Sequence, residues 1–394
     1  MDFYHTIKHF FNKKSSYQSL NTITIKRQAI EHNFKVFQHH KPDYIIIPVV
    51  KSNGYGHGIK QIATILQLIP LCYMIAVDSY PEYQIINTYT NKKILMLGET
   101  RGENYRLFDY KRTHLAVRTL ETIKILGLLS THQEISIHIF VNTGMNREGV
   151  QIEHLHTLLD CIKSYPNVKV TGYMSHLACA DDPGNKLNQI QVNRFYEGLQ
   201  IVRNAGYEPL YIHLEASAGM INNTDTVGEC TAGRLGLGLY GYDPMYLGSQ
   251  SSFSPLGSML QPAMDVYSTI TAIQIIDTGG TVGYGSTWTA EHKSLIATFP
   301  FGYKEGLDRQ LSSIGWEAGI GSKLYPLVGR ISMNYSTLYG GEPGGGNGLA
   351  IGNQVHIISS DLNQSNTMYH YFYVGGKIVY EMIHRDPMIK RVII

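Results

Sequence analysis

A parallel (β/α)8 TIM barrel followed by a mostly β C-terminal domain is the fold class predicted by this 394-residue chain. Three observations predict it. Short apolar or β-branched runs alternate with helical stretches from Tyr44 to Tyr240. Polar residues able to do chemistry stand at or beside the ends of those runs. After Tyr240 the texture turns to Ser, Gly and Pro, and then to strands with few helices. A chain of this length can bury a large core and divide in two, here into a barrel over residues 1–250 and a β domain over 251–394.

The barrel strands are expected at Tyr44–Val50, Tyr73–Val77, Ile94–Leu97, His114–Val117, Ile135–Val141, Val168–Met174, Leu210–Leu214 and Leu235–Tyr240. Helical periodicity fills intervals such as Ile152–Ile162 and Leu187–Ala205. An open doubly wound sheet shares this alternation. The polar residues favour the barrel. Lys51 follows the first strand, Asn142 and Arg147 the fifth, His176 the sixth and Ser217 the seventh, while Arg234 precedes the eighth. In a barrel those strand ends converge on one mouth. Gly241–Pro262 reads as a crossover, and Val266–Ile276, Leu295–Phe301, Leu324–Ile331 and Gln354–Ile358 as strands of the second domain. The early strand Thr22–Lys26 joins that domain or caps the barrel. The glycine-rich Gly340–Gly348 lacks the Lys-Ser/Thr and the helix of a phosphate loop, and reads as a strand connection.

Charge is nearly balanced, with 33 basic and 31 acidic residues. Net charge therefore implies no nucleic-acid partner. Four scattered cysteines, Cys72, Cys161, Cys179 and Cys230, have no metal-ligand spacing; Cys72 and Cys179 lie in apolar segments, and the set reads as reduced, buried thiols. The 17 histidines form no HExxH arrangement, so no metal site is expected. Met1–Ser19 makes a poor secretory signal, and no apolar run is long enough to span a bilayer. The expectation is a soluble cytoplasmic protein with no membrane partner.

The most informative segment is Val49-Val50-Lys51-Ser52-Asn53-Gly54-Tyr55-Gly56-His57-Gly58. It sets a lone lysine at the end of a buried strand, before a turn punctuated by glycines. A lysine amine held in a desolvated pocket loses its proton more easily and can condense with an aldehyde. Glycines beside it allow close backbone approach or positive φ. Lys51 is thus a candidate anchor for pyridoxal 5′-phosphate.

The whole ten-residue string resembles the cofactor-lysine signature of the alanine racemase family. Further strings resemble that family in order: Asn142-Thr143-Gly144-Met145-Asn146-Arg147-Glu148-Gly149, Met174-Ser175-His176-Leu177-Ala178-Cys179-Ala180-Asp181, and Gly233-Arg234-Leu235-Gly236-Leu237-Gly238-Leu239-Tyr240-Gly241. Val282-Gly283-Tyr284-Gly285-Ser286-Thr287, Pro300-Phe301-Gly302-Tyr303, Arg330-Ile331-Ser332-Met333-Asn334 and Tyr380-Glu381 extend it.

The resemblance implies a homodimer with shared active sites that interconverts L- and D-alanine and supplies D-alanine for peptidoglycan. It implies two bases, Lys51 on one face of the substrate and Tyr284, from the partner subunit, on the other. A phenol of pKa about 10 needs help to act as a base at neutral pH, and the resemblance supplies His176 and Arg234. Arg234 would also face the cofactor's ring nitrogen and keep it unprotonated. Tyr55, Ser217, Gly236, Leu237 and Tyr380 would hold the phosphate. Arg147 would touch the cofactor's phenolic oxygen and, with Met333, the amino acid's carboxylate. Tyr303 and Arg309 would line the access corridor.

The departures matter as much. Where many relatives carry a carbamylated lysine, seven residues before Arg147, this chain has Phe140. Asn142 and Asn334 stand where aspartates are usual, and Ala216 where an asparagine is common. Arg147 must then be held by a bound anion such as chloride or by another residue, or the site is tuned to a different substrate. A serine racemase is the nearest alternative. A decarboxylase of the same architecture usually carries a cysteine-containing motif in the second domain, and every cysteine here precedes residue 231. A non-catalytic cofactor-binding barrel would lack the β domain and its Tyr284 segment.

Overall fold

The computed structural model describes residues 17–246, 252–312, 314–344, 348–375, 379 and 385–394. Eight parallel strands, β1 Ile45–Pro48, β2 Met74–Val77, β3 Lys93–Met96, β4 Thr113–Val117, β5 Ile135–Asn142, β6 Val168–Met174, β7 Tyr211–His213 and β8 Ala232–Leu235, lie at the centre of the first unit. β2 to β7 pair in sequence order, and β8 pairs with β1 from Ala232–Ile45 to Leu235–Pro48. Two isolated parallel bridges, Val49–Ala76 and Ala216–Arg234, join the pieces into a closed ring. Closure decides between the barrel and the open sheet, since a barrel has no edge strand.

Helices cover the ring where apolar spacing allows one buried face. α1 Ile59–Gln67 buries Ile59, Ile62, Ala63, Ile65 and Leu66. α2 Tyr80–Tyr89 starts in a capping box between Ser79 and Glu82. Thr119 caps α3 Leu120–Leu129, and Asn185 caps α5 Lys186–Asn204, each accepting a first-turn amide. α4 Leu155–Lys163 follows a short 3-10 turn.

The second unit is mostly β. One sheet runs in the order Lys323–Pro326, Glu317–Ile320, Gln354–Ile358, Met264–Thr269, Thr22–Ile25, Lys390–Ile393, and an antiparallel sheet joins Ala272–Ile276, Ser294–Phe299 and Ser336–Tyr339. Val282, Ile296 and Val328 pack together in its core. Among the described residues, contacts group those up to 23, 266–358 and 388–392 in this unit, and those within 24–265, 359–387 and 393–394 in the barrel unit. Among the described residues no helix is long and apolar enough to cross a membrane.

Four expectations need correction. The eighth strand is Ala232–Leu235, and Leu237–Tyr240 is a 3-10 turn between Gly236 and Gly241. The glycines allow that turn: Gly236 has ψ of −106° and Gly241 lies at φ 89°. Arg234 is therefore inside the strand and not ahead of it. Val266–Ile276 breaks into two strands at Ile270–Thr271, and Leu324–Ile331 ends as a strand at Pro326. Cys179 is half-buried, while Cys72 is buried.

Candidate active site

Lys51 follows β1 on a backbone held in an unusual conformation. Ser52, Asn53, Gly54, Tyr55 and Gly56 all have positive φ, from 49° to 79°. For a residue with a Cβ this region costs roughly 1–2 kcal/mol, so surrounding bonds must hold the turn. Ser52 N–H donates to Glu82 Oε1 at 2.6 Å, Asn53 Oδ1 accepts from Ile59 N–H at 3.0 Å, and Gly58 N–H donates to the Asn53 carbonyl at 2.8 Å. Glu82 Oε2 meanwhile accepts from the amides of Asp78 and Ser79. One carboxylate thus ties the loops leaving β1 and β2 and fixes the mount of Lys51. The Ser79-x-x-Glu82 pattern made this legible, yet sequence reasoning passed over it.

A cavity of about 310 Å³ opens at these strand ends. Its walls include Lys51, Tyr55, Arg118, Arg147, Glu148 and His176, with Ser217, Arg234, Gly236 and Leu237. Eight residues expected from the sequence therefore meet in one place. At one end Ser217 Oγ accepts from the amides of Gly236 at 3.1 Å and Gly238 at 3.2 Å. A Cβ at Gly236 would come within 2.9 Å of the Tyr55 hydroxyl and 4.0 Å of Ser217 Oγ. Glycine there leaves a small cradle of two hydroxyls and backbone amides, which suits a phosphate. Tyr55 is fixed by stacking on Tyr240, ring centroids 4.9 Å apart.

Arg234 is buried, and its terminal nitrogens are fully engaged. Nη1 donates to His213 Nδ1 and the His213 carbonyl at 2.9 and 2.8 Å. Nη2 donates to the carbonyls of Ser175 and Leu214 and to His176 Nδ1 at 3.1 Å. None of these acceptors is a carboxylate, so the positive charge is not neutralised by its hydrogen-bond partners. Burial brings the guanidinium down to about 10, which leaves it charged at neutral pH. Nε takes part in none of the five bonds.

Behind Arg234 runs a ladder of histidines that the sequence did not flag. His213 Nε2 meets His138 Nδ1 at 2.9 Å, and His138 Nε2 meets His114 Nδ1 at 3.1 Å. Arg234 can only donate, so His213 must accept at Nδ1 and carry its proton on Nε2. The same logic passes down the ladder and sets each tautomer. Burial pushes His138 and His213 well below the usual range for histidine, with Arg234 adding to the effect. Burial, helped by Lys93, takes His114 down to about 4. Gly172 makes room, since a Cβ there would lie 2.3 Å from the His138 ring. His176 is likewise neutral: desolvation first, then Arg234, Arg147 and Lys51, push it down to about 3.

These neutral imidazoles predict an acid weakness with a defined sign. Unfolded histidine titrates near 6.5, whereas native His114 waits until about 4. Between those values the unfolded chain binds the extra proton, so stability falls as pH drops through that window. His114 alone is worth on the order of 3 kcal/mol there. Melting temperature measured from pH 7 to 4.5 should fall less steeply in His114→Gln, which keeps an acceptor for His138; parallel curves would refute this.

Arg147 is presented by the loop after β5. Asn142 Oδ1 accepts from the amides of Gly144 and Asn146, and Asn146 sits at φ 57°. Asn142, in place of the usual aspartate, thus shapes the loop. Arg147 Nε and Nη2 both donate to Glu148 Oε1, at 3.2 and 3.0 Å.

The remaining expected residues lie in the β unit. Tyr284, Tyr303, Arg309 and Met333 share one pocket there with Ile331 and Ser332. Tyr284 is 69% exposed. Asn334, in place of the other aspartate, donates from Nδ2 to Glu305 Oε1 at 2.9 Å. Tyr380 lies outside the described residues.

A closed barrel with a lysine at the end of β1, a phosphate-sized cradle and a charged, buried arginine defines a pyridoxal-phosphate-binding class of enzyme. The family models described as alanine racemase, N-terminal domain, and alanine racemase, C-terminal domain, match residues 25–244 and 263–392. Accordingly, the chain belongs to the alanine racemase family. It is 31% identical to the alanine racemase of Vesicomyosocius okutanii over 79% of this chain and 83% of that one. It is 29% identical to that of Staphylococcus saprophyticus over 80% of each. Among solved structures, the alanine racemase of Streptomyces lavendulae superposes with a TM-score of 0.84 at 23% identity, covering 96% of this chain and 98% of that one. That of Bartonella henselae, described with covalently bound pyridoxal phosphate, superposes at 0.80 with 22% identity, over 96% and 100%.

Proposed function

We propose that this chain interconverts L- and D-alanine using pyridoxal 5′-phosphate and so supplies D-alanine for peptidoglycan. The observation that carries this reading is the meeting of Lys51, the Ser217–Tyr55–Gly236 cradle and the unneutralised Arg234 in one cavity. When bound, the cofactor supplies the electron sink that makes an α-proton removable.

The chain's own groups do the rest. Lys51 anchors the cofactor and then moves a proton on one face of the substrate. Tyr55, Ser217, the backbone at Gly236 and Leu237, and Tyr380 hold the phosphate. Arg234 offers Nε to the ring nitrogen, and its charge disfavours a proton there. Arg147 and the backbone at Met333 bind the amino acid's carboxylate, and Tyr303 and Arg309 line the access corridor. Tyr284 serves the opposite face, with residues 251–394 carrying it to the barrel of a second copy in a homodimer. Its exposure in the single chain is consistent with that role. His176 is neutral and accepts from Arg234 at Nδ1, so its Nε2 carries a proton that it can donate to the tyrosine oxygen. The cytoplasm is the proposed location.

In deuterated water, L-alanine should gain α-deuterium and appear as D-alanine, followed by chiral chromatography and mass spectrometry. Release of carbon dioxide without D-alanine would replace this reading with decarboxylation.

A further inference from the structure

We propose that Glu148 is a built-in counter-ion that positions Arg147, and that Arg118 is the anchor of that counter-ion. The proposal rests on the reading that Arg147 binds the substrate carboxylate.

An arginine beside a glutamate in sequence is ordinarily a loose surface pair of little consequence. This pair differs because its carboxylate is clamped from the other side. Arg118 Nε donates to Glu148 Oε2 at 2.8 Å, while Oε1 receives both Nε and Nη2 of Arg147. Arg118 is itself held from several sides. Its side chain is 7% exposed, it donates to the carbonyls of Leu97 and Ala116, and a second carboxylate, Glu99, lies 3.5 Å away. Its guanidinium lies over the Phe140 ring at 5.0 Å, a favourable cation–π distance.

Phe140 therefore does not leave a hole where relatives carry a charged lysine derivative; it forms the floor on which Arg118 rests. The order of support runs Phe140, Arg118, Glu148, Arg147, and all four line the cavity that holds Lys51. Two arginines and two glutamates, Glu99 and Glu148, balance in charge. A carboxylate that belongs to the chain holds Arg147 at any bicarbonate or chloride concentration.

The test uses the holoenzyme. Glu148→Gln should keep the cofactor absorbance and fold, while its KM for L-alanine rises about tenfold or more and kcat changes less, because a misplaced binding group loses affinity first. Propionate, a substrate-sized carboxylate without an amine, should bind Glu148→Gln more weakly by a similar factor in calorimetry. Glu148→Asp, which restores the charge on a shorter stem, should recover part of both losses. Wild-type activity should be the same in degassed, chloride-free buffer as with either anion added. Unchanged KM and propionate affinity in Glu148→Gln would overturn the proposal while wild-type racemisation leaves the enzymatic reading intact. An absolute need of the wild type for bicarbonate or chloride would overturn it too, by showing that a dissolved anion holds Arg147. A wild type that racemises nothing would instead defeat the enzymatic reading itself.

Discussion

Lys51→Ala should be colourless or bind the cofactor only reversibly, and should racemise alanine slower by on the order of 10³-fold or more, since covalent anchor and one base are lost together. The expectation follows from placement. Lys51 leaves β1 on a turn with five consecutive positive φ values, so no neighbouring side chain can take over its position by a small shift. The other cavity-lining cations, Arg118, Arg147 and Arg234, are guanidinium groups, which do not give up a proton to become nucleophiles. Added methylamine should restore part of the rate by supplying a free amine. Borohydride reduction of the wild type followed by peptide mapping should place the pyridoxyl group on Lys51. A mark on another lysine, or a yellow and active alanine variant, would end the assignment.

Much of this was legible from residue order. The barrel strands after Tyr44 were readable because fully buried parallel strands appear as continuous apolar runs, and β6 and the strand Gln354–Ile358 fall where the sequence put them. The eighth strand was misplaced because apolar Leu237–Tyr240 has the composition of a strand, while glycines at 236, 238 and 241 permit a tight 3-10 turn. Lys51, Arg147, His176, Ser217 and Arg234 stood out by their places at strand ends, while Tyr55, Gly236 and Leu237 came from the family resemblance alone. What the sequence hid were partners. His114, His138 and His213 each sit alone in a different strand, and only ring closure brings them into a line. Glu148 and Arg118 are 30 residues apart and meet across the β4–β5 mouth. Such pairings depend on tertiary geometry, which a pattern of periods does not encode.

Tyr284→Phe should separate the two faces of the reaction. An ordinary phenol has a pKa of about 10, so it serves as a base at neutral pH only beside groups that favour its anion. The barrel offers such a pair ready-made: a guanidinium with no carboxylate among its hydrogen-bond partners, and a neutral histidine whose remaining N–H is free to donate. Phenylalanine preserves the ring and removes the oxygen. Exchange of the α-hydrogen from one alanine enantiomer should then fall by about 10²–10⁴-fold, the usual worth of a positioned acid–base group, while exchange from the other enantiomer, which Lys51 serves, is largely retained. Mixing Tyr284→Phe with Lys51→Ala gives a sharper result. If the tyrosine reaches the cavity of a second copy, a mixed dimer holds one site with both bases and one with neither, and activity should reappear. No recovery on mixing would confine Tyr284 to its own chain, and equal, mild losses for both enantiomers would remove it from the mechanism.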